Sequence, residues 1–564
     1  MAEHSGSKRK GLQPAKLGPL QAFGRWQARR RKNFPQPVTT ALVQRDLPVT
    51  MSDGVVLPAD HWAPAGSPSG HTVLVRNPYG RDMAEVWACM FAEAGHHVVV
   101  QDCRGTAEAG GEFNPFFNER SDAGDTVAWL RAQPWYDGRF VTFGPSYLGL
   151  TQWALAEDRP VDLVGMVVIV SARNFREAVI YPGEGFAFET ALTWNIALDA
   201  QSKGKLGQLT TLLRSPLRMR AATALPPADA IRAAVGHDVE FYRNWLVHNE
   251  PGDPYWPPID FAQEPAGLPP VIMAAGWYDL FLLDQVADHR ALQAAGVSAQ
   301  LFIGPWRHTD PGSADAAVLA ALHMLAPGGE IRSTDGVHLM TTGDEQRVEL
   351  ANWPGADTPG GIMHLTAAGA LARTPDGTPG SLTVGYDPSD PTPSAGGRSL
   401  NPMTAGPKSQ KDRESRDDVL VFTSAALAQD FTVIGDPVVR LTISGTAASY
   451  DLFVRLCDVD PGGTSASVTE GYRRFVASPD APTTADRAVE LALAPTGHVF
   501  KAGHQIRLQI SGGAHPLHLR NPGNADPLHD FTDLVRNELS IRLGGGRTSA
   551  LTLPVHAISG RAVS

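Results

Sequence analysis

The chain has 564 residues, too many for a single hydrophobic core, and therefore implies two or three domains. With 43% hydrophobic and 19% charged residues it has a globular composition, which excludes general disorder. The net charge of −11 argues against nucleic acid as a partner, and no apolar run reaches the roughly 18 residues of a membrane span. The three cysteines are scattered and the N-terminus lacks the apolar region of a signal peptide, so we expect a cytoplasmic protein without disulfides.

The N-terminal segment is strongly basic. Residues 1–32 carry nine Lys or Arg against one acid, Glu3. We interpret residues 1–40 as a disordered tail with a solvated charge; an electrostatic tether to anionic lipid or polymer is the alternative interpretation. Strand-like residues begin near Val43, with a hairpin turn predicted at 52–54.

Buried strands then alternate with a helical stretch. Apolar strand patterns occur at four places, 73–75, 98–100, 140–143 and 164–170. Residues 82–94 have helical spacing, and this βαβ alternation predicts a parallel sheet. From about 172 to 270 the strand patterns give way to helical spacing rich in Ala and Leu, which indicates a helical insertion between two strands of the sheet.

The segment 144–149 reads Gly-Pro-Ser-Tyr-Leu-Gly and stands between a strand pattern and a helix-compatible stretch. α/β-Hydrolases expose a nucleophilic serine on a strand-to-helix turn of this kind, where small neighbours avoid a collision with the adjoining strand or helix. The second glycine stands three residues after Ser146, whereas the usual motif has it two residues after. Ser146 is therefore the predicted nucleophile.

Two later strand patterns end in the other groups of a catalytic triad. The run 271–275 leads into Asp279, and the run 299–303 leads into His308. The chemistry of open α/β sheets gathers at the carboxyl ends of strands, and serine, acid, histidine is the order expected for this fold. Taken singly, Asp279 is also compatible with a helix cap and His308 with a loop histidine. Together with Ser146 they predict a triad, in which the carboxylate orients the imidazole that takes the serine proton.

A hydrolase also needs donors for the oxyanion that develops on the substrate carbonyl. The backbone N–H of Tyr147, directly after the nucleophile, is the first candidate. The second should come from the loop after strand 73–75, which has no run of glycines, so the phenol of Tyr79 is the candidate there. From the residues alone, a tyrosine packed at the turn after Pro78 is the favoured interpretation of Tyr79.

Five motifs follow one another along the chain, at 76–79, 101–105, 144–149, 276–279 and 304–308. In this order they resemble the bacterial cocaine esterase and Xaa-Pro dipeptidyl-peptidase family of serine hydrolases, and the resemblance covers residues 40–560. It implies that the displaced glycine belongs to the family's pattern and that Tyr79 donates its hydroxyl to the oxyanion. It also implies a C-terminal jelly roll, whereas the cap is predicted from the helical insertion itself, which interrupts the sheet where α/β-hydrolases carry a cap over the active site.

The pattern changes once more after residue 330, where short alternating strands predict an all-β sandwich. The predicted fold class is α/β: an α/β-hydrolase domain with an inserted helical cap and a C-terminal all-β jelly-roll domain. The predicted segments are the tail 1–40, the catalytic domain 41–171 and 271–330, the cap 172–270 and the jelly roll 331–564. His515 and His518 lack partners at metal-ligand spacing, and we predict neither a metal nor an organic cofactor.

The expected substrate is a small-molecule ester or amide, cleaved through an acyl-enzyme. The residues at 280–283 are apolar, where amino-ester hydrolases of the family place acids, so an uncharged acyl ester is favoured over an N-terminal dipeptide. Phe281 resembles the aromatic residue of the cocaine esterase acyl pocket. Trp194 is either a second apolar wall or part of the cap core, and Asp284 is a less favoured partner for an amine.

The sequence alone is compatible with several other functions. The protein could be an Xaa-Pro dipeptidyl-peptidase or an amino-ester or β-lactam acylase, which share the triad with esterases. It could also be a binding scaffold that retained the fold without catalysis, although an intact triad argues against this interpretation. A homo-oligomer is compatible with the sequence.

Overall fold

The computed structural model describes most of the chain: residues 11–30, 34–66, 70–201, 203–224, 226–325, 335–355, 360–478, 481–529, 531, 533–544 and 549–555. Five basic residues of the predicted tail lie outside the described residues: Lys8, Arg9, Lys10, Arg31 and Lys32. None of the described helices is long and apolar enough to span a bilayer.

A first sheet of eleven strands organises the N-terminal part of the chain. Its strands are β1 (Gln13–Pro14), β2 (Ala41–Thr50), β3 (Val56–Pro64), β4 (Thr72–Asn77), β5 (His97–Asp102), β6 (Phe140–Pro145), β7 (Leu163–Ile169), β8 (Val271–Tyr278), β9 (Ala299–Arg307), β10 (Gly336–Met340) and β11 (Arg347–Leu350). Their order is β1-β2-β3-β5-β4-β6-β7-β8-β9-β10-β11. The strands from β5 to β10 in this order run parallel, and the outer pairs are antiparallel. Val98, Val99 and Val100 are fully buried, as expected for a parallel strand covered on both faces.

Helices cover this sheet and fill the insertion between β7 and β8. The first four are α1 (Pro19–Arg29), α2 (Glu85–Glu93), α3 (Glu119–Arg131) and α4 (Tyr147–Ala156). The insertion contains α5 (Phe188–Gln201), α6 (Gly204–Thr223), α7 (Pro227–Val235) and α8 (Glu240–Val247), and these form the cap. Then follow α9 (Leu282–Ala294), α10 (Pro311–Met324) and, in the C-terminal part, α11 (Lys411–Glu414).

The C-terminal part is built from β-strands. They are β12 (Gly360–Leu365), β13 (Ala370–Ala372), β14 (Gly380–Tyr386), β15 (Val419–Ser424), β16 (Phe431–Gly435), β17 (Val438–Gly445), β18 (Ser449–Val459), β19 (Ser465–Val476), β20 (Arg487–Ala492), β21 (Thr496–Phe500), β22 (Gln505–Ser511), β23 (Asn537–Leu543) and β24 (Ala550–Pro554). All but β16 and β21, which pair with each other, belong to a second eleven-stranded sheet. Val454 of β18 lies opposite Ile510 of β22, and both are fully buried in a separate hydrophobic core.

The structure differs from the sequence-based segments at two places. The predicted tail 1–40 was expected to be disordered, but it contains β1 and the helix α1 within its described residues. α1 packs on α2, and both Arg25 and Arg29 form ion pairs with the nearly buried Glu93. The predicted boundary at residue 330 is also displaced, because β10 and β11 extend the first sheet to Leu350.

Candidate active site

Ser146 occupies the turn between β6 and α4. Its backbone has φ 60° and ψ −124°, an unfavourable conformation for a residue with a side chain, and its N–H donates to the Ile169 carbonyl at 2.8 Å. A Cβ atom on Gly144 would lie 2.4 Å from Cβ of Leu148, and one on Gly149 would lie 2.3 Å from Cβ of Ser171. Both glycines of the motif are therefore required by close packing, and the displaced second glycine is the one that faces the end of β7.

His308 and Asp279 lie beside this turn, at the ends of β9 and β8. The Nε2 atom of His308 is 3.0 Å from Oγ of Ser146, and its Nδ1 atom is 2.6 Å from Oδ2 of Asp279. Asp279 is fully buried, and its other oxygen accepts the N–H of Phe281 at 2.8 Å. Its carboxylate is thus held by two partners and points one oxygen at the imidazole. This arrangement favours the tautomer that donates from Nδ1 and accepts the serine proton at Nε2.

Tyr79 approaches the serine from the loop after β4. Asn77 holds the loop: its Oδ1 accepts the N–H of Tyr79 at 3.0 Å, and its Nδ2 donates to the Gly80 carbonyl at 2.8 Å. The phenol oxygen of Tyr79 accepts the indole N–H of Trp194 at 3.2 Å, and Tyr79 and Ser146 line the same cavity. Desolvation raises the pKa of Tyr79 to about 12, although its interactions with Trp194 and Ser146 act to lower it. The phenol is therefore protonated at neutral pH and able to donate.

Tyr147 places its backbone and its side chain in different environments. It is the first residue of α4, and the first N–H groups of a helix have no intrahelical partner. Its phenol is buried behind the turn, where it donates to Glu119 Oε1 at 2.8 Å and accepts the N–H of Phe116. Burial, with the charge of Glu119, holds the pKa of this phenol well above its usual value. The side chain anchors the turn, and the amide at the helix start is available to a ligand.

A cavity of about 1220 Å³ opens in front of Ser146 and His308. Trp194 and Phe281, both predicted for the substrate pocket, line it and are 8% and 4% exposed. The ring of Phe281 lies 5.7 Å from that of His308 between centroids. Of the apolar residues at 280–283, Leu280 also lines the cavity, whereas Leu282 is buried and Leu283 is 41% exposed.

Two parts of the wall contain none of the residues that the sequence singled out. One is α1, which contributes Gly24, Gln27 and Ala28. The other is segment 394–404 of the C-terminal part, between β14 and β15, which contributes residues such as Leu400 and Met403. Neither carried a signal of its own, because the first has a basic, tail-like composition and the second is a loop rich in Gly, Pro and Ser.

Glu189 joins the cap to that second segment. It lies in the first turn of α5, lines the cavity and is 2% exposed. Its carboxylate accepts hydrogen bonds from Ser399 Oγ at 2.7 Å, Asn401 Nδ2 at 3.1 Å and Thr404 Oγ1 at 3.0 Å. Desolvation raises its pKa, against the lowering effect of these three donors. In the sequence it was indistinguishable from an ordinary acid at a helix start.

Asp284, the less favoured partner for an amine, lies in the first turn of α9. Desolvation, with the nearby charge of Asp288, raises its pKa to about 8. In the described part of the chain, no group of three or more His, Cys, Asp or Glu side chains is arranged to hold a metal ion.

Comparisons with known proteins bear on both halves of the chain. Residues 53–310 match the family model of X-Pro dipeptidyl-peptidase (S15 family), and residues 331–552 match that of the X-Pro dipeptidyl-peptidase C-terminal non-catalytic domain. Cocaine esterase of Rhodococcus sp. (strain MB1 Bresler) is 28% identical over 569 residues, which cover 91% of this chain and 98% of that protein.

Solved structures share the fold over nearly the whole chain. An α-amino acid ester hydrolase superposes with a TM-score of 0.75 at 19% identity, covering 93% of this chain and 98% of its own. An aminopeptidase from a marine sediment Thaumarchaeota archaeon gives a TM-score of 0.74, also at 19% identity and with the same coverage. The predicted fold class is confirmed: an α/β-hydrolase domain with an inserted helical cap and a C-terminal all-β jelly-roll domain.

Proposed function

Since the chain belongs to the cocaine esterase and Xaa-Pro dipeptidyl-peptidase (S15-like) family of serine hydrolases, we propose that it cleaves acyl esters through a triad of Ser146, His308 and Asp279. The observation that carries the proposal is the pair of contacts at His308, 3.0 Å to the serine hydroxyl and 2.6 Å to the buried carboxylate. These are the contacts that a nucleophile, its base and the orienting acid require.

In the proposed reaction, Oγ of Ser146 attacks the ester carbonyl while Nε2 of His308 takes the hydroxyl proton. The resulting imidazolium is stabilised by the carboxylate of Asp279, which remains ionised. The tetrahedral intermediate collapses as His308 returns the proton to the leaving alcohol, and Ser146 remains acylated. A water molecule, deprotonated by His308 in turn, hydrolyses the acyl-enzyme and frees the serine.

We assign the stabilisation of the oxyanion to the Tyr79 hydroxyl and the Tyr147 backbone N–H. The contact from Trp194 supports this role for Tyr79, because an oxygen that accepts the indole N–H must direct its own proton elsewhere. Tyr79 also lines the cavity beside Ser146, which supports its contact with a carbonyl bound at the serine. Donors that are oriented before the reaction stabilise the transition state without the cost of reorganisation.

The apolar walls favour an uncharged acyl group. Trp194, Leu280 and Phe281 offer apolar surface next to the triad. The buried carboxylate in the wall, Glu189, already accepts hydrogen bonds from three side chains, which makes it a poor partner for a substrate ammonium group. A dipeptidyl-peptidase or amino-ester acylase would need such a partner, and these activities are the alternatives to the ester hydrolysis that we propose.

A panel of aryl esters and a Gly-Pro anilide, assayed with the wild type and with Ser146→Ala, tests the proposal. We expect hydrolysis of the esters to dominate, and Ser146→Ala to lose both turnover and labelling by a fluorophosphonate probe. If the Gly-Pro anilide is cleaved faster than the esters, the proposed ester hydrolysis is wrong and the protein is a dipeptidyl-peptidase. If the probe does not label Ser146 and the Ser146→Ala protein retains full activity, catalysis by this residue is ruled out.

A further inference from the structure

Helix α1 forms part of the rim of the active-site cavity. Gly24, Gln27 and Ala28 line the cavity, and the ion pairs of Arg25 and Arg29 with Glu93 hold the helix on α2. The match to the catalytic family model begins at residue 53, so α1 is an addition to the matched region. What the exposed side chains of α1 contact therefore bears on how substrates reach the cavity.

α1 also presents an exposed apolar stripe made of Leu20, Phe23 and Trp26, spaced three residues apart. These side chains are 84%, 54% and 49% exposed. The rings of Phe23 and Trp26 stack with centroids 5.6 Å apart, and the Arg30 guanidinium lies 4.2 Å from the centroid of the Trp26 ring. An aromatic stripe edged by a cation is typical of helices that lie in the interface of a lipid bilayer.

The charge of the chain is divided unevenly around this stripe. Residues 1–32 carry a net charge of +8. Since the whole chain has a net charge of −11, the remaining residues carry −19. Two described basic residues that flank the stripe in sequence, Lys16 and Arg30, are both exposed. An anionic surface would attract this end of the molecule and repel the remainder, which orients the protein with α1 toward that surface.

We propose that the stripe of Leu20, Phe23 and Trp26 docks on an anionic phospholipid surface, with its apolar side chains inserted among the headgroups and the neighbouring basic side chains paired with phosphates. Because Gly24, Gln27 and Ala28 of the same helix line the cavity, docking brings the cavity next to the lipid. Esters dissolved in the bilayer are then concentrated at its rim. The proposal goes beyond ester hydrolysis and does not depend on it, because docking is measured without a substrate.

A second copy of the chain is a less suitable occupant of the stripe. Three side chains, at roughly 150–250 Å² for a large aromatic residue, expose a few hundred Å² in total. A stable dimer buries about 800 Å² on each partner. A symmetric contact between two such stripes would also bring two segments of like positive charge together.

Sedimentation of the full-length protein with vesicles tests the proposal. The probes are vesicles of phosphatidylcholine alone and of phosphatidylcholine mixed with phosphatidylglycerol. We expect binding to the mixed vesicles, weak binding to the neutral ones, and at least a fivefold loss between about 50 mM and about 500 mM NaCl because salt screens the attraction. The variant Leu20→Gln/Phe23→Gln/Trp26→Gln should lower partitioning about tenfold or more, since it removes the inserted apolar surface.

A matched variant, Val161→Gln/Val476→Gln, removes two exposed apolar side chains elsewhere, 95% and 52% exposed, and should bind as the wild type does. The triple variant should still hydrolyse a short water-soluble ester within about twofold of the wild type, because its three residues lie outside the cavity wall and surface substitutions rarely unfold a protein.

No binding by the wild type, equal binding to both vesicles, or unchanged binding by the triple variant would overturn the proposal. A concentration-dependent dimer that the triple variant abolishes, without lipid binding, would identify a second copy as the occupant.

Discussion

The hydroxyl of Tyr79 is the side-chain donor assigned to the oxyanion, and its removal separates chemistry from binding. We predict that Tyr79→Phe lowers kcat about 10²- to 10³-fold with little change in KM, as expected when one preorganised oxyanion donor is lost. Steady-state kinetics with an aryl ester measures this. Tyr136→Phe is the matched control, since it removes a phenol that donates to Asp162 at 2.7 Å and lies outside the cavity wall. An equal loss in both variants would contradict the assignment.

Trp194 has two separable roles, as an apolar wall and as the donor that orients Tyr79. Trp194→Phe keeps an aromatic ring but removes the indole N–H that lies 3.2 Å from the Tyr79 oxygen. We predict a fall in kcat of about three- to tenfold, in line with the roughly 1 kcal/mol net worth of a hydrogen bond. The affinity for a boronic acid that mimics the tetrahedral intermediate should fall in parallel. A rise in KM alone, with kcat unchanged, would leave Trp194 as a wall only.

At the scale of the elements, the turn from β6 into α4 depends on the close approach of Gly149 to Ser171. An added Cβ would lie 2.3 Å from Cβ of Ser171 and 3.3 Å from Cγ1 of Val168. We predict that Gly149→Ala destabilises the protein by about 1–3 kcal/mol through overpacking and reduces activity by displacing Ser146. Adding Ser171→Gly to this variant should restore part of the lost stability and part of the lost activity, because it removes the Ser171 Cβ atom that collides with the added methyl group.

Thermal unfolding and ester hydrolysis of the two single variants and the double variant measure this coupling. Gly124→Ala in α3 is the control: its added methyl group would contact nothing within 4 Å, and alanine favours the helix. Additive effects of Gly149→Ala and Ser171→Gly would show that the contact does not determine the turn.

The elements also show which features the sequence could predict. Ser146, Asp279 and His308 follow apolar strand runs, and parallel strands bring their carboxyl ends together, so their proximity follows from local patterns. α1 could not be predicted in this way, because its position depends on Glu93, an acid 64 residues after Arg29 that receives both arginines. Glu189 was hidden for the same reason, since its partners lie more than 200 residues away in the C-terminal part.

At the scale of the whole molecule, buried histidines lower the free energy of unfolding in acid. Burial lowers the pKa of His61 and of His518 to about 3, with the charges of His97 and Arg474 respectively acting in the same direction. The unfolded chain takes up these protons near pH 6.5, whereas the folded chain resists them down to about pH 3. The free energy of unfolding is therefore unaffected by these two histidines above pH 6.5, and it decreases as the pH falls from 6.5 to about 3.

We predict that each of these histidines costs about 3 kcal/mol of folding free energy at pH 4.5, from 1.36 kcal/mol per pKa unit. His518→Phe tests this, because it removes the titrating group and keeps a ring that can stack on Tyr472, whose ring centroid is 3.7 Å away. Urea unfolding at pH 4.5 and pH 7.5 should show a smaller difference for the variant than for the wild type. An unchanged difference would exclude His518 as a source of acid sensitivity.

Three of the segments that line the cavity are distant from one another in sequence: α1, the cap helices and residues 394–404. The three proposed triad residues lie in none of them. Substitutions that enlarge, narrow or charge the cavity can therefore accumulate at 19–29, at 394–404 and, apart from Trp194, at 188–223 while the geometry around Ser146 stays intact. Part of the choice of substrate is thus encoded away from the proposed triad, so new specificities can arise without any alteration of the bond-breaking machinery.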